Sequence, residues 1–171
     1  MPVTDQGNLK GQYTLIPRTL IFLTCKDKLL LLKGAPEKRL WANLFNGIGG
    51  HLEKGEGLLG SAWRELREET GLESVRLQLC GVLTIDTGEE IGVEVFLLRG
   101  EVEETMTIES REGRLEWVRV EELPKLPLVE DLFVLLPRVL AWQNGDPPLS
   151  VHSSYDPVGK LDIHFDKPGD H

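Results

Sequence analysis

Apolar residues change their spacing several times along this chain. From Tyr13 to Lys33 they form two dense blocks separated by Lys26-Asp27-Lys28, the pattern of a β-hairpin with a polar turn. Gly34-Ala35-Pro36 interrupts the pattern, and Leu40 to Gly50 is irregular, with Asn43, Asn46, Gly47, Gly49 and Gly50 as turn formers. Over Leu58–Thr70 the spacing becomes helical: Leu59, Ala62, Trp63 and Leu66 share a face, and Gly71 stands just past the end. Strand-like runs return at Val75–Ile85 and Ile91–Arg99, joined by Asp86-Thr87-Gly88-Glu89-Glu90 as a second hairpin turn. A short strand is expected around Leu115–Val120, centred on Trp117, and a second helix over about Val129–Trp142. Trp63 and Trp117 read as core. Beyond Asn144 the chain is rich in Gly, Pro and Asp, with Val151–Tyr155 and Lys160–Phe165 reading as a small hairpin around Asp156–Gly159 or as a partly disordered tail. Hairpins and two helices without regular βα alternation predict an α/β or α+β domain, helices on the faces of a mixed sheet. The expected organisation is one domain over 1–143 with a C-terminal extension over 144–171.

Composition narrows the possibilities. With 171 residues, 40% hydrophobic and 27% charged, the chain can bury a real core and is neither disordered nor coiled-coil in type. A net charge of −9 argues against gripping nucleic acid by its phosphates, yet leaves room for a small phosphorylated ligand held through a cation. Cys25 and Cys80 lie in apolar strand-like runs and read as buried thiols, with no CxxC pair to suggest zinc. The first ten residues are polar, and no apolar run approaches the ~20 residues of a membrane span. A cytoplasmic protein without membrane contact, monomeric or homodimeric, is the expectation.

The chemistry sits in the first helix. At about 100° per residue, with Glu65 at zero, Glu69 falls near +40° and Glu68 near −60°, so three carboxylates share an arc beside the stripe of Leu59, Trp63 and Leu66. Glu65 and Glu69, spaced i,i+4, repel by roughly 0.2–0.5 kcal/mol. Glu68 and Glu69 also oppose the negative end of the helix dipole by roughly 0.3–1 kcal/mol. Arg64 and Arg67 offset part of this. A divalent cation would remove the conflict, because hard oxygen ligands suit Mg²⁺ or Mn²⁺. A solvated acidic face laced with helix salt bridges is the plainer alternative.

The segment from Gly50 to Leu72 reads Gly-x5-Glu-x7-Arg-Glu-Leu-x-Glu-Glu-x-Gly-Leu without a departure, and in this it resembles the Nudix hydrolase family. The resemblance implies a Nudix-type α/β/α sandwich around a mixed sheet, and Mg²⁺-dependent hydrolysis of a diphosphate linked to another group, with Mn²⁺ as substitute. It implies Glu65 and Glu69 as principal metal ligands, Glu68 beside them and the Gly50 carbonyl completing the shell. Arg64 would orient a carboxylate, Glu56 would fix the loop–helix junction, and Gly71 would end the helix. A further acid from a loop outside the motif is Glu112, with Glu109 second. The general base is one of Glu65, Glu68 and Glu112.

Upstream, Leu44-Phe45-Asn46-Gly47-Ile48-Gly49-Gly50 is similar to the Trp-Asn-Gly-Phe-Gly-Gly stretch of Nudix enzymes that act on oxidised purine nucleotides. That likeness makes Asn46 a base contact and puts Phe45 where a tryptophan is common, while Glu130 and Asp131 stand near a pair of base-reading acids. Lys33, Arg39 and His51 are candidates for phosphate. Each has a plainer reading: Asn46 as a turn residue, Glu130 and Asp131 as first-turn acids of a helix. A purine nucleoside triphosphate, oxidised or not, is the leading substrate class. Nucleotide sugars, dinucleoside polyphosphates, ADP-ribose and isopentenyl-type diphosphates are the rivals, and a non-catalytic nucleotide-binding module or an isomerase the alternatives of another class.

Overall fold

The computed structural model describes residues 11–37, 41–105 and 113–167. The elements are β1 (Thr14–Cys25), β2 (Lys28–Gly34), β3 (Phe45–Asn46), α1 (Leu58–Thr70), β4 (Leu77–Ile85) and β5 (Ile91–Glu101). They continue with β6 (Gly113–Arg119), a 3-10 helix (Val120–Lys125), α2 (Leu132–Ala141), β7 (Leu149–Tyr155) and β8 (Leu161–Phe165). One mixed sheet runs β3-β2-β1-β5-β4-β7-β8, with β6 also paired to β2.

Leu29 to Leu32 are apolar without alternation because β2 is covered on both sides. Ile21, Leu23, Leu30 and Leu98 pack with Ala62 and Leu66 of α1 on one face. Phe22, Leu29, Leu31 and Leu97 pack with Leu132, Leu135, Leu136 and Val139 of α2 on the other. At roughly 1.5–3 kcal/mol per fully buried large apolar side chain, these two layers fix both helices on the sheet. The result is the expected helix–sheet–helix sandwich.

The first hairpin pairs only from Leu23↔Leu30 to Cys25↔Lys28. On its other edge β1 pairs in parallel with β5 from Thr14↔Ile91 to Thr24↔Glu101, and beyond Leu23 the two strands of the hairpin part. The glycine-rich segment uses the edges so released. Phe45 and Asn46 pair with Lys33 and Leu32, then Ile48 and His51 bridge Ile21 and Arg18 of β1.

Two sequence expectations shift. Helix α2 begins at Leu132 instead of Val129, because the Val129 N–H donates to the Phe45 carbonyl at 3.0 Å and Leu128 bridges Phe45 in parallel. Residues committed to that strand-like pairing cannot enter the helix. Trp63 is not core: it is 43% exposed, its indole N–H donating to the Val75 carbonyl at 3.2 Å. Trp117 is half-buried against the α1-side core. The segment after Asn144 extends the sheet: β7 pairs in parallel with β4 from Gly81↔Leu149 to Ile85↔Ser153, and β8 returns antiparallel to β7.

Both cysteines are buried and free. The Cys80 thiol donates to the Leu97 carbonyl at 3.3 Å, and burial pushes its pKa up to about 12. Among the described residues no helix is long and apolar enough to cross a membrane.

Candidate active site

The site forms where the glycine-rich segment crosses β1 and feeds α1. The Thr19 N–H donates to the Gly50 carbonyl at 2.8 Å and the Leu52 N–H to the Pro17 carbonyl at 3.1 Å, so 48–52 lies as a strand edge along β1. A side chain is excluded at two positions. A Cβ on Gly49 (φ +151°) would run into the Thr19 carbonyl, and one on Gly50 into the Glu65 carboxylate. The paired glycines therefore let backbone and carboxylate meet.

Arg64 holds this junction. Its Nε and Nη2 donate to the two Glu56 oxygens at 2.7 and 3.0 Å, a bidentate fork across the loop. Its Nη1 donates to Glu65 Oε1 at 2.8 Å and lies 3.4 Å from Glu68 Oε2. Nη2 also reaches the His51 carbonyl at 3.1 Å, an acceptor it shares with the Ser61 hydroxyl at 3.3 Å. Glu56 accepts from the Glu53 N–H at 3.1 Å, tightening the turn. The bond to Arg64, then that to the Glu53 backbone, lowers the Glu56 pKa to about 2, and the carboxylates hold Arg64 well above its ordinary value. A depressed carboxylate stabilises the fold fully above its ordinary pKa near 4.5 and loses that contribution as pH falls toward 2. The melting-temperature difference between wild type and Glu56→Gln is accordingly expected to be constant above pH 5 and to shrink between about pH 4.5 and 2, as followed by circular dichroism.

The other acids differ in setting. Glu69 is buried at 4% exposure beside Leu66, Glu65 is largely covered, and the Glu68 side chain is 56% exposed. Among the described residues no three His, Cys, Asp or Glu groups are gathered closely enough to hold a metal as they stand. In kind the donors nonetheless fit a hard cation: they are all oxygens, they share one arc of α1, and the missing Gly50 side chain leaves the Glu65 carboxylate against the backbone. Glu112 and Arg39 lie outside the described residues, as does Glu109.

Of the flanking candidates, Phe45 is tied to the chain leading into α2. The Phe45 N–H donates to the Pro127 carbonyl at 2.8 Å and the Val129 N–H to the Phe45 carbonyl at 3.0 Å, which sets the segment leading into Glu130 and Asp131 beside β3. The expected substrate face of Phe45 is not offered: the ring is 3% exposed and packs in the α2-side core, with the Lys33 ammonium 5.4 Å above it. Asn46 serves its own turn, its Oδ1 accepting from the Gly47 N–H at 2.8 Å, which leaves its amide donors. Glu130 is exposed, and Asp131 precedes α2 without capping it. Burial raises the Asp131 pKa, assisted by the charge of Glu130. His51 is exposed, and its backbone carbonyl does the holding.

Sequence reasoning missed Ser61, Thr19 and Tyr155. Ser61 and Thr19 act through backbone contacts that spacing does not signal. Tyr155 ends β7 near Glu130 and Asp131: burial raises its pKa, and those two charges add to the effect.

Residues 14–139 match the family model of the NUDIX domain, and the chain belongs to the Nudix hydrolase family, whose members are pyrophosphohydrolases that generally use a divalent metal such as Mg²⁺. It is 37% identical over 112 residues to the uncharacterized Nudix hydrolase YvcI of Bacillus subtilis, covering 62% of this chain and 67% of that one. It is 29% identical over 123 residues to the oxidized purine nucleoside triphosphate hydrolase of Danio rerio, covering 71% and 78%. Among solved structures, a mutator MutT protein from Bacillus halodurans superposes with a TM-score of 0.73 at 26% identity, over 89% of this chain and 98% of that one. The Nudix domain of Shewanella oneidensis NrtR, solved with ADP ribose, shares the fold at a TM-score of 0.66 and 14% identity, over 82% and 97%.

Proposed function

We propose that this chain cuts the diphosphate linkage of a nucleoside diphosphate derivative with Mg²⁺, or Mn²⁺ in its place. The favoured substrate is a purine nucleoside triphosphate, oxidised or not, split to the monophosphate and pyrophosphate. The observation carrying this reading is the docking of the α1 carboxylates, through Arg64, against the backbone at Gly50. Glu65, Glu68 and Glu69, with the Gly50 carbonyl and Glu112, would hold the cation. When bound, the cation supplies positive charge for the diphosphate oxygens and a water of lowered pKa.

The chain's own residues supply the rest. Glu68, exposed and touched by Arg64 only at 3.4 Å, is the freer proton acceptor for the attacking water, whereas Glu65 is engaged at 2.8 Å. Lys33 and His51 carry positive or donor groups for phosphate oxygens. Asn46 on β3 and Asp131 at the start of α2 supply donors and acceptors for a base, and the relatives named for oxidised purine triphosphates favour that substrate class. A panel of nucleoside triphosphates, nucleotide sugars, dinucleoside polyphosphates and ADP-ribose, assayed with and without Mg²⁺ and read by product mass, tests this. Metal-dependent release of a purine monophosphate at the highest kcat/KM is expected. Preference for a nucleotide sugar or ADP-ribose overturns the substrate, and no metal-dependent turnover overturns the reading.

A further inference from the structure

Arg18 is the residue of β1 that the reaction chemistry leaves unexplained. It pairs in register with Val95 of β5 and bridges His51 on its other side, so its backbone lies between the sheet and the segment carrying Gly50. Alternation along β1 fixes the direction of its side chain. Leu20 and Phe22 belong to the α2-side core, as does Val95 beside it, whereas Ile21 and Leu23 face α1. Arg18 thus shares the face of Lys33, Phe45 and Asp131, one turn of the pleat below Leu20.

Its Nε is buried and makes no hydrogen bond. On the same side of the sheet, Asp131 Oδ1 is also buried without a hydrogen bond, and the two groups form no ion pair with each other. A buried donor left without a partner is costly, and native proteins keep few of them. A guanidinium donor and a carboxyl acceptor that both wait for partners on one face describe a ligand with acceptors on one edge and donors on another.

We propose that Arg18 is a specificity-determining residue, its guanidinium donating from the floor of the sheet to the acceptor edge of the substrate's base while Asp131 receives that base's donors. This rests on the nucleotide reading above and names the part of the substrate that the α2-side face of the sheet reads. A planar fork suits the paired O6 and N7 acceptors of guanine better than the single N7 acceptor of adenine, so guanine nucleotides are the preferred class.

The test uses the full chain and two variants, Arg18→Gln and Arg18→Lys, with Mg²⁺ present. KM and kcat are measured for the guanine, adenine, cytosine and uracil triphosphates, along with inhibition by inorganic tripolyphosphate, which has no base. Expected for Arg18→Gln is a KM for the guanine substrate about 10- to 100-fold higher, kcat changed by less than about threefold, a narrowed spread among bases and unchanged tripolyphosphate inhibition. Arg18→Lys should fail to restore the preference, since it keeps the charge and loses the fork. Melting temperatures confirm that both variants fold. An equal loss for all four bases together with weakened tripolyphosphate inhibition would assign Arg18 to phosphate and overturn the proposal, as would unchanged KM values. Calorimetric binding of guanosine and adenosine monophosphates separates this from the reading it rests on. Arg18-dependent binding without turnover sinks only the hydrolase reading, and binding that is absent or indifferent to Arg18 sinks the present one.

Discussion

Glu69→Gln is expected to lower kcat with Mg²⁺ by about 10³-fold and to leave the melting temperature equal or higher. The two effects have opposite signs because the residue's position is poor for the fold and good for a cation. Glu69 is 4% exposed in the arc of α1 that also buries Ala62 and Leu66, where burying a charge is costly. It stands one helical turn from Glu65 and faces the negative end of the helix, both unfavourable by a few tenths to one kcal/mol. Glutamine keeps the shape, removes the charge and relieves both. What is lost is a ligand, and several kcal/mol of charge stabilisation in the transition state corresponds to about 10³-fold at 1.36 kcal/mol per decade. The wild type should also melt at a higher temperature with Mg²⁺ than without, and the variant should lose that shift. A rate within threefold of wild type would remove the role assigned to Glu69.

Arg64→Lys is the second large effect, expected at roughly 10- to 100-fold in kcat/KM with a melting temperature lower by about 5 °C. One guanidinium reaches both oxygens of Glu56, one of Glu65, the Ser61 hydroxyl and the His51 carbonyl. An ammonium can neutralise the charges but cannot make the fork, so the loop carrying Gly50 would lose its tie to the helix. Arg64→Ala should do worse on both counts, leaving Glu56 and Glu65 without a counter-charge. Kinetics and scanning calorimetry on the same samples check this. A lysine variant with wild-type kcat/KM would show that charge alone suffices.

The motif was legible because its spacing is set by one helix, and the bounds of α1 agree with the sequence pattern to the residue. Its orientation was not. The wheel set Leu59, Trp63 and Leu66 as the buried stripe, yet the buried set is Ser61, Ala62, Leu66, Glu69 and Thr70. The buried arc is turned by roughly 50–80° toward the acids. Hydrophobicity misplaced the face because Trp63 satisfies its indole at the Val75 carbonyl and stays half outside. At the start of α2 the propensity of Val129 was overridden by its bond to Phe45, a pairing 84 positions away in sequence that no local pattern contains. Arg18 was invisible for the same reason, since only the strand alternation and the neighbours across the sheet show which face it takes.

The parallel ladder between β4 and β7 has a consequence for synthesis. During translation β4 is complete some sixty residues before β7 exists, and its outer row of amide and carbonyl groups waits unpaired through that interval. The nascent sheet is therefore most prone to pairing with another nascent chain after α2 has emerged and before residues 149–155 have. A ribosome-associated chaperone would have its greatest effect on yield in that window.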